Sequence, residues 1–284
     1  YNGLIVAGSS PFQDSANLEP VVVYKYSDVL HEWEQLGQTI LSEDPFNAGY
    51  GQNDHGYSLD ISADGLTLVI GARLAEGYNG NARIYAYNED SSLWEQKGDT
   101  IGNQKLSDNA FSADHLSMDA SGLTIAIADR YAATSAGVTR IFQYDDESST
   151  WTQLGQDING EAVSDRSGNF GIKLSADGST VAIGAPYNDG NGIDSGHIRV
   201  YQYVDGTWTQ FGQDIDGTGP GNQFGFYMTM SSSADTIFAA VGNGNNTKVN
   251  IYNKLSAFTL AELKDSFTLA ELKLEFELAE LKLE

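Results

Sequence analysis

The residues of this chain best suited to holding an ion are Asp189, Asn191 and Asp194, in the loop Asn188-Asp189-Gly190-Asn191-Gly192-Ile193-Asp194. Oxygen-bearing side chains at near-alternate positions suit a hard cation such as Ca2+. The spacing is not that of an EF-hand loop, and no Glu closes the site. The same Asn, Asp and Gly content also makes an ordinary hairpin loop. Ca2+ is therefore the one cofactor the residues suggest, and no motif assigns a catalytic residue. His31, His55, His115 and His197 show no pair at ligand spacing and read as satisfied surface histidines. Asp145-Asp146-Glu147 reads as a solvated turn. There is no nucleophile elbow, no H-E-x-x-H and no phosphate-binding loop. A pair of carboxylates for glycoside chemistry stays open, because such a pair can be assembled from distant loops.

The elements that would position such groups are repeats. The tryptophans Trp33, Trp94, Trp151 and Trp208 stand at spacings of 61, 57 and 57 residues. Each is followed by a Gly-x-x-Ile tetrad, at Gly37–Ile40, Gly98–Ile101, Gly155–Ile158 and Gly212–Ile215. An apolar strand recurs as LIVAG at Leu4, LVIGA at Leu68, IAIAD at Ile125, VAIGA at Val181 and IFAAV at Ile237. An aromatic strand recurs with Tyr24, Tyr85, Phe142, Tyr201 and Tyr252 in register. Several columns sharing one period mark a tandem structural repeat.

The clearest copy is Asn169–Ile215. Gly171–Ser175 reads as a first strand, Asp177-Gly178 as a tight turn and Thr180–Ala185 as a strand buried on both faces. His197–Tyr203 alternates, and Trp208–Gly212 closes the unit. Four short antiparallel strands every 57 or so residues predict an all-β fold, a β-propeller of about five four-stranded repeats. The units fall near 1–45, 46–102, 103–158, 159–215 and 216–254. The strand count is two short of five full blades, which leaves either a ring with one weak blade or an incomplete or truncated ring. The tryptophans are expected to fill the spaces between blades.

Residues 255–284 differ. FTLAELKDS, FTLAELKLE and FELAELKLE repeat with period nine, rich in helix formers. The segment reads as a helix with two opposite apolar stripes, one of them Leu260, Leu263, Phe267, Ala270 and Leu274. It is expected either to pack on the propeller, to self-associate, or to do neither; a strand over Leu272–Leu278 is the rival reading.

The chain carries 39 acidic and 15 basic residues, a formal charge of −24. That opposes binding to nucleic acid, whose affinity comes from Lys and Arg. It has no cysteine, so disulfides and thiolate metal sites are excluded. No apolar run is long enough to span a bilayer. The chain starts with Tyr and is read as a segment of a longer protein, so a missing signal peptide carries no information.

Phe170-Gly171 and Gly184-Ala185-Pro186 bracket one unit, and Phe224-Gly225 supplies a second Phe-Gly. This pattern resembles the FG-GAP repeat of integrin α-type propellers, and the Trp-x-Gln-x-Gly-x-x-Ile ending is similar to tandem propeller repeats of large secreted proteins of marine microbes. The resemblance covers roughly residues 1–254. It implies a secreted or cell-surface propeller used in adhesion, recognising a protein or carbohydrate through loops on one face, and not an enzyme. Family Ca2+ sites precede the GAP strand; here Ser175-Ala176-Asp177-Gly178-Ser179 has one carboxylate, and that carry-over fails. The rivals are a propeller enzyme acting on polysaccharide, glycosidase or lyase, and a structural module of a longer tandem protein.

Overall fold

In a computed structural model the chain is described over residues 4–10, 20–42, 54–75, 80–102, 113–241 and 248–253. These residues form five antiparallel sheets in chain order. Blade 1 is β1 (Ile5–Ser9), β2 (Val21–Ser27) and β3 (Glu32–Gln35). Blade 2 is β4 (His55–Ile61), β5 (Thr67–Ala72), β6 (Asn81–Asn88) and β7 (Leu93–Gln96). Blade 3 is β8 (His115–Met118), β9 (Thr124–Asp129), β10 (Val138–Asp145) and β11 (Thr150–Gln153), with the short β12 (Ile158–Asn159) on the edge of β10. Blade 4 is β13 (Ile172–Leu174), β14 (Thr180–Ala185), β15 (His197–Val204) and β16 (Thr207–Gln210), with β17 (Ile215–Asp216) on β15. Blade 5 is β18 (Met228–Met230), β19 (Thr236–Val241) and β20 (Lys248–Asn253). The fold is a five-bladed β-propeller. The 255–284 repeats lie outside the described residues, which include a four-residue turn at Ala132–Ser135 with left-handed backbone at Ala133 and Thr134.

The repeat columns become packing layers. The second strands β5, β9 and β14 are buried at every residue, as a continuous apolar run requires. Alternate side chains face the two neighbouring blades. Leu68, Ile70, Tyr85 and Trp94 of blade 2 pack on Val21, Val23 and Ile40 of blade 1. Val69, Ala82 and Ile84 on the other face of blade 2 pack on Ile125, Ile127 and Leu116 of blade 3. The pattern repeats at the next two junctions. In blade 1 the register places Val6, not Leu4, opposite Tyr24, as Leu68 is opposite Tyr85. The apolar column is thus displaced by two residues in that blade.

The tryptophans do close three junctions. The indole N–H donates to the carbonyl of the preceding blade: Trp94 to Leu36 at 2.8 Å, Trp151 to Lys97 at 2.9 Å and Trp208 to Leu154 at 2.8 Å. The ring lies over the tetrad glycine of that blade. A Cβ on Gly37, at φ +75°, would stand 2.6 Å from Trp94 Cδ1, and on Gly155 2.8 Å from Trp208 Cδ1. Gln38 and Gln156 clasp the next blade's tryptophan backbone by both amide atoms, Gln156 at 2.9 and 2.7 Å. Trp33 departs from expectation: it is 43% exposed where Trp94 and Trp208 are 3%.

Candidate active site

The first strands of blades 2, 3 and 4 converge near the propeller axis. One residue column crosses it: Lys173 Nζ donates to Asp60 Oδ2 at 3.0 Å, and the same oxygen accepts from Met118 N at 2.9 Å. Beside this tie is a cavity of about 490 Å³ lined by Tyr57, Ser58, Leu59, His115, Leu116, Phe170 and Ile172. Register aligns Leu59, Leu116, Ile172 and Met228 as one column. The position before it carries Ser58, His115, Gly171 and Tyr227, a different residue in each blade. The position before that carries Tyr57, Asp114, Phe170 and Phe226.

The rings form a chain across the blades. Tyr57 and His115 have centroids 6.2 Å apart, His115 and Phe170 4.2 Å, and Phe170 stacks on Phe226 at 4.8 Å. Two arginines border it. Arg73 pairs with Asp54 and lies over the Tyr57 ring at 4.1 Å. Arg130 lies 3.4 Å from Asp114, donates to Asn169 Oδ1 at 2.8 Å and covers the rings of Tyr131 and Phe170. Both arginines directly follow a second strand, where blade 4 has Pro186. The site thus occupies positions where blades 2 and 3 depart from the Gly-Ala-Pro pattern of blade 4.

His115 is the one histidine in the cavity lining among the described residues. Its Nε2 is enclosed and without a hydrogen-bond partner among the described residues. Burial, reinforced by the charges of Arg130 and Arg73, lowers its pKa to about 3. It is a neutral imidazole at neutral pH, able to accept a proton or orient a water. An anionic group bound at the guanidiniums would cancel part of that field and raise its basicity. Among the described residues no carboxylate lines the cavity, so they do not supply there the acid pair that glycoside hydrolysis needs.

The histidines differ from the surface groups the sequence suggested: His55 and His197 are buried and His115 lines the cavity, leaving His31 exposed. The signal that could have found His115 is its departure from the column Ser58, Gly171 and Tyr227, visible once register is known.

The ion-binding candidates are placed elsewhere, in the loop between β14 and β15. Asp189 Oδ1 accepts from Asp194 N at 2.9 Å, and Asn191 Nδ2 donates to Gly217 O at 3.0 Å. Their side chains knit the loop to itself and to its neighbour. A second acidic group lies nearby: Glu161, His197 and Asp214 hold ligand atoms within 4.8 Å of one another. Arg199 occupies it, with Nη2 2.8 Å from Glu161 and 2.6 Å from Asp214. The hydrogen bond to Asp214 raises the Arg199 pKa. Burial opposes charge on Asp214, yet Arg199 and Gln210 hold its pKa below the usual range. Blade 3 repeats the pair as Arg140 and Asp157 at 2.9 Å, so this arrangement belongs to the blade rather than to a ligand.

The chain resembles several solved propellers. A provisionally named 6-phosphogluconolactonase from Bacteroides uniformis matches with TM-score 0.58 and 16% identity, over 91% of this chain and 66% of that one. A second such protein, from Bacteroides fragilis, gives TM-score 0.54, 15% identity, and 90% and 65% coverage. A periplasmic gluconolactonase of Pseudomonas aeruginosa gives 0.54, 12%, and 87% and 64%. The chain spans just under two thirds of each. No protein-family model and no curated protein sequence matches it.

These findings correct two expectations. These three neighbours are named as lactonases, against the expected non-enzymatic adhesion module; at 12–16% identity the likeness itself is one of fold. Nothing in them points to FG-GAP or integrin-type repeats. The motif glycines have a packing reason instead. A Cβ on Gly171 would stand 2.0 Å from Gly225 O, and one on Gly184 2.1 Å from the same atom. Phe-Gly and Gly-Ala-Pro here mark close backbone approach between blades 4 and 5, which does not specify adhesion.

Proposed function

We propose that this chain is the propeller of a hydrolase that opens an anionic sugar lactone or related ester at the axial cavity. The observation that carries the reading is His115: a neutral imidazole in the cavity lining, within the field of Arg73 and Arg130. Tyr57 and Phe170 offer apolar faces to a sugar ring. The arginines attract the substrate's phosphate or carboxylate. The His115 imidazole then takes a proton from water as the water oxygen attacks the lactone carbonyl carbon. The ring C–O bond breaks, and the proton passes to the departing alkoxide, leaving a hydroxy acid and a neutral imidazole. The lactonase names of the fold neighbours support this substrate class.

The same groups suit β-elimination on a uronate: an arginine neutralises the carboxylate, the imidazole abstracts the proton α to it, a carbon–carbon double bond forms between the α and β carbons, and the glycosidic C–O bond at the β carbon breaks, the departing oxygen taking a proton from the imidazolium or from water. Assaying phosphorylated and carboxylated sugar lactones beside uronate polymers separates the two. Acid release from a lactone supports hydrolysis; an unsaturated product absorbing in the ultraviolet replaces it with a lyase. His115→Asn should lower kcat by about 10²–10⁴-fold with the melting temperature little changed. Full activity in that variant, or no turnover of either class, would overturn the assignment.

A further inference from the structure

Tyr131 and Tyr187 stand two residues past the second strands of blades 3 and 4, at equivalent positions beside the axial cavity. The Arg166 guanidinium lies over both rings, 5.8 Å from the Tyr131 centroid and 4.9 Å from that of Tyr187. Arg130 covers the Tyr131 ring as well, at 4.7 Å, and reaches the Phe170 ring of the cavity lining. The arginines differ in what answers their charge. Arg73 and Arg130 face Asp54 and Asp114. Arg166 makes no ion pair and no side-chain hydrogen bond among the described residues, and neither do the Tyr131 and Tyr187 hydroxyls. Its neighbour Asp165 is buried and taken up by Ala162 N at 3.1 Å and Asn188 Nδ2 at 2.9 Å. In a chain of 39 acidic and 15 basic residues, a guanidinium that no acid claims is available to a ligand. The backbone is committed to presenting it. Arg166 has φ +52°, its N–H donates to Ser135 O at 3.0 Å and its carbonyl accepts from Asn169 N at 3.0 Å. Phe170, four residues on, has φ +60°. Bulky side chains disfavour that region, and such strain collects at ligand clamps.

We propose that Arg166, with the hydroxyls of Tyr131 and Tyr187, forms a second anion subsite beside the cavity, and that the ligand is an acidic oligosaccharide whose successive sugar carboxylates meet Arg130 and Arg166. The inference rests on the reading of the cavity as the site of an anionic sugar. Arg130 links the two places, since it covers one ring of each. A chain with one sugar against Phe170 and the next against Tyr131 sets its second carboxylate among one guanidinium and two phenol donors. Arg130 and Arg166 repel each other across the ring they share, and an anion beside both relieves that repulsion. A single acidic sugar fills the first subsite alone, so this part of the rim selects for chain length.

Calorimetric binding of galacturonate and digalacturonate to the full chain tests this, in the His115→Asn protein so that turnover does not intervene. Digalacturonate should bind about ten-fold tighter than galacturonate, and the gain should shrink at high salt. Arg166→Gln in the same background should abolish the gain while galacturonate binding and the melting temperature stay unchanged. Arg166→Lys, which keeps the charge, should retain most of it. Galacturonate bound with no gain from the second sugar, or a gain that survives Arg166→Gln, would overturn the subsite and leave the cavity reading in place. Binding of neither acid would overturn both. A wild-type protein that holds digalacturonate through Arg166 but turns over neither lactones nor uronates would overturn the enzyme assignment and leave the subsite standing.

Discussion

At the outer edge of the blades, Trp94, Trp151 and Trp208 repeat one contact: indole over glycine, N–H to a carbonyl of the preceding blade. At the inner edge, register-equivalent positions hold Ser58, His115, Gly171 and Tyr227. The belt keeps one residue type because each blade must mate with the next in the same way. The rim is released from that one demand: Gly171 answers to the Gly225 carbonyl, Ser58 donates to Ala113 O at 2.9 Å, and His115 lines the cavity. Stability is invested where the repeat is obeyed, and chemistry is available where it is broken.

The largest expected effect lies in the belt. Trp94→Ala should cost about 3–5 kcal/mol, measured by denaturant unfolding, whereas the exposed Trp33→Ala should cost about 1 kcal/mol or less. Equal costs would show that Trp33 is covered in solution and that the two positions do not differ. Next, Gln156→Ala removes both amide bonds to the Trp208 backbone and should cost about 1–2 kcal/mol. A smaller cost would mean that the indole alone holds the junction.

The remaining effect concerns the rim and shows only below neutral pH. The His115 pKa, about 3 in the fold, is about 6.5 when unfolded. Between those values the unfolded chain binds more protons, so this group withdraws stability as pH falls from about 7 towards about 3. His115→Asn should therefore flatten the acid limb relative to wild type, with no difference above neutrality. Parallel limbs would mean that the imidazole titrates normally, and the rim would lose its distinguishing group.

Much of the fold is legible in the chain because blade packing is periodic. Trp spacing, the Gly-x-x-Ile tetrads and the buried run Thr180–Ala185 each mark a layer that recurs. Phe170-Gly171 and Gly184-Ala185-Pro186 are legible in the same way, and their glycines answer to the close approach of the Gly225 carbonyl. The site was far less legible. Arg73 and Arg130 do share the 57-residue spacing of the repeat, but nothing in that spacing sets His115, on a first strand, beside them. Asp189, Asn191 and Asp194 were conspicuous because they are adjacent in sequence, yet the structure uses Asp189 and Asn191 within the loop framework.

The amino-acid sequence alone determined the repeat, its strand order and which residues face a neighbouring blade, because period-two alternation and turn chemistry are local properties. The tertiary structure alone decided which departures meet. Tyr57, His115 and Phe170 come from three blades and touch only because first strands converge on one axis. The exposure of Trp33, 43% against 3% for Trp94, is likewise not visible in its own sequence neighbourhood.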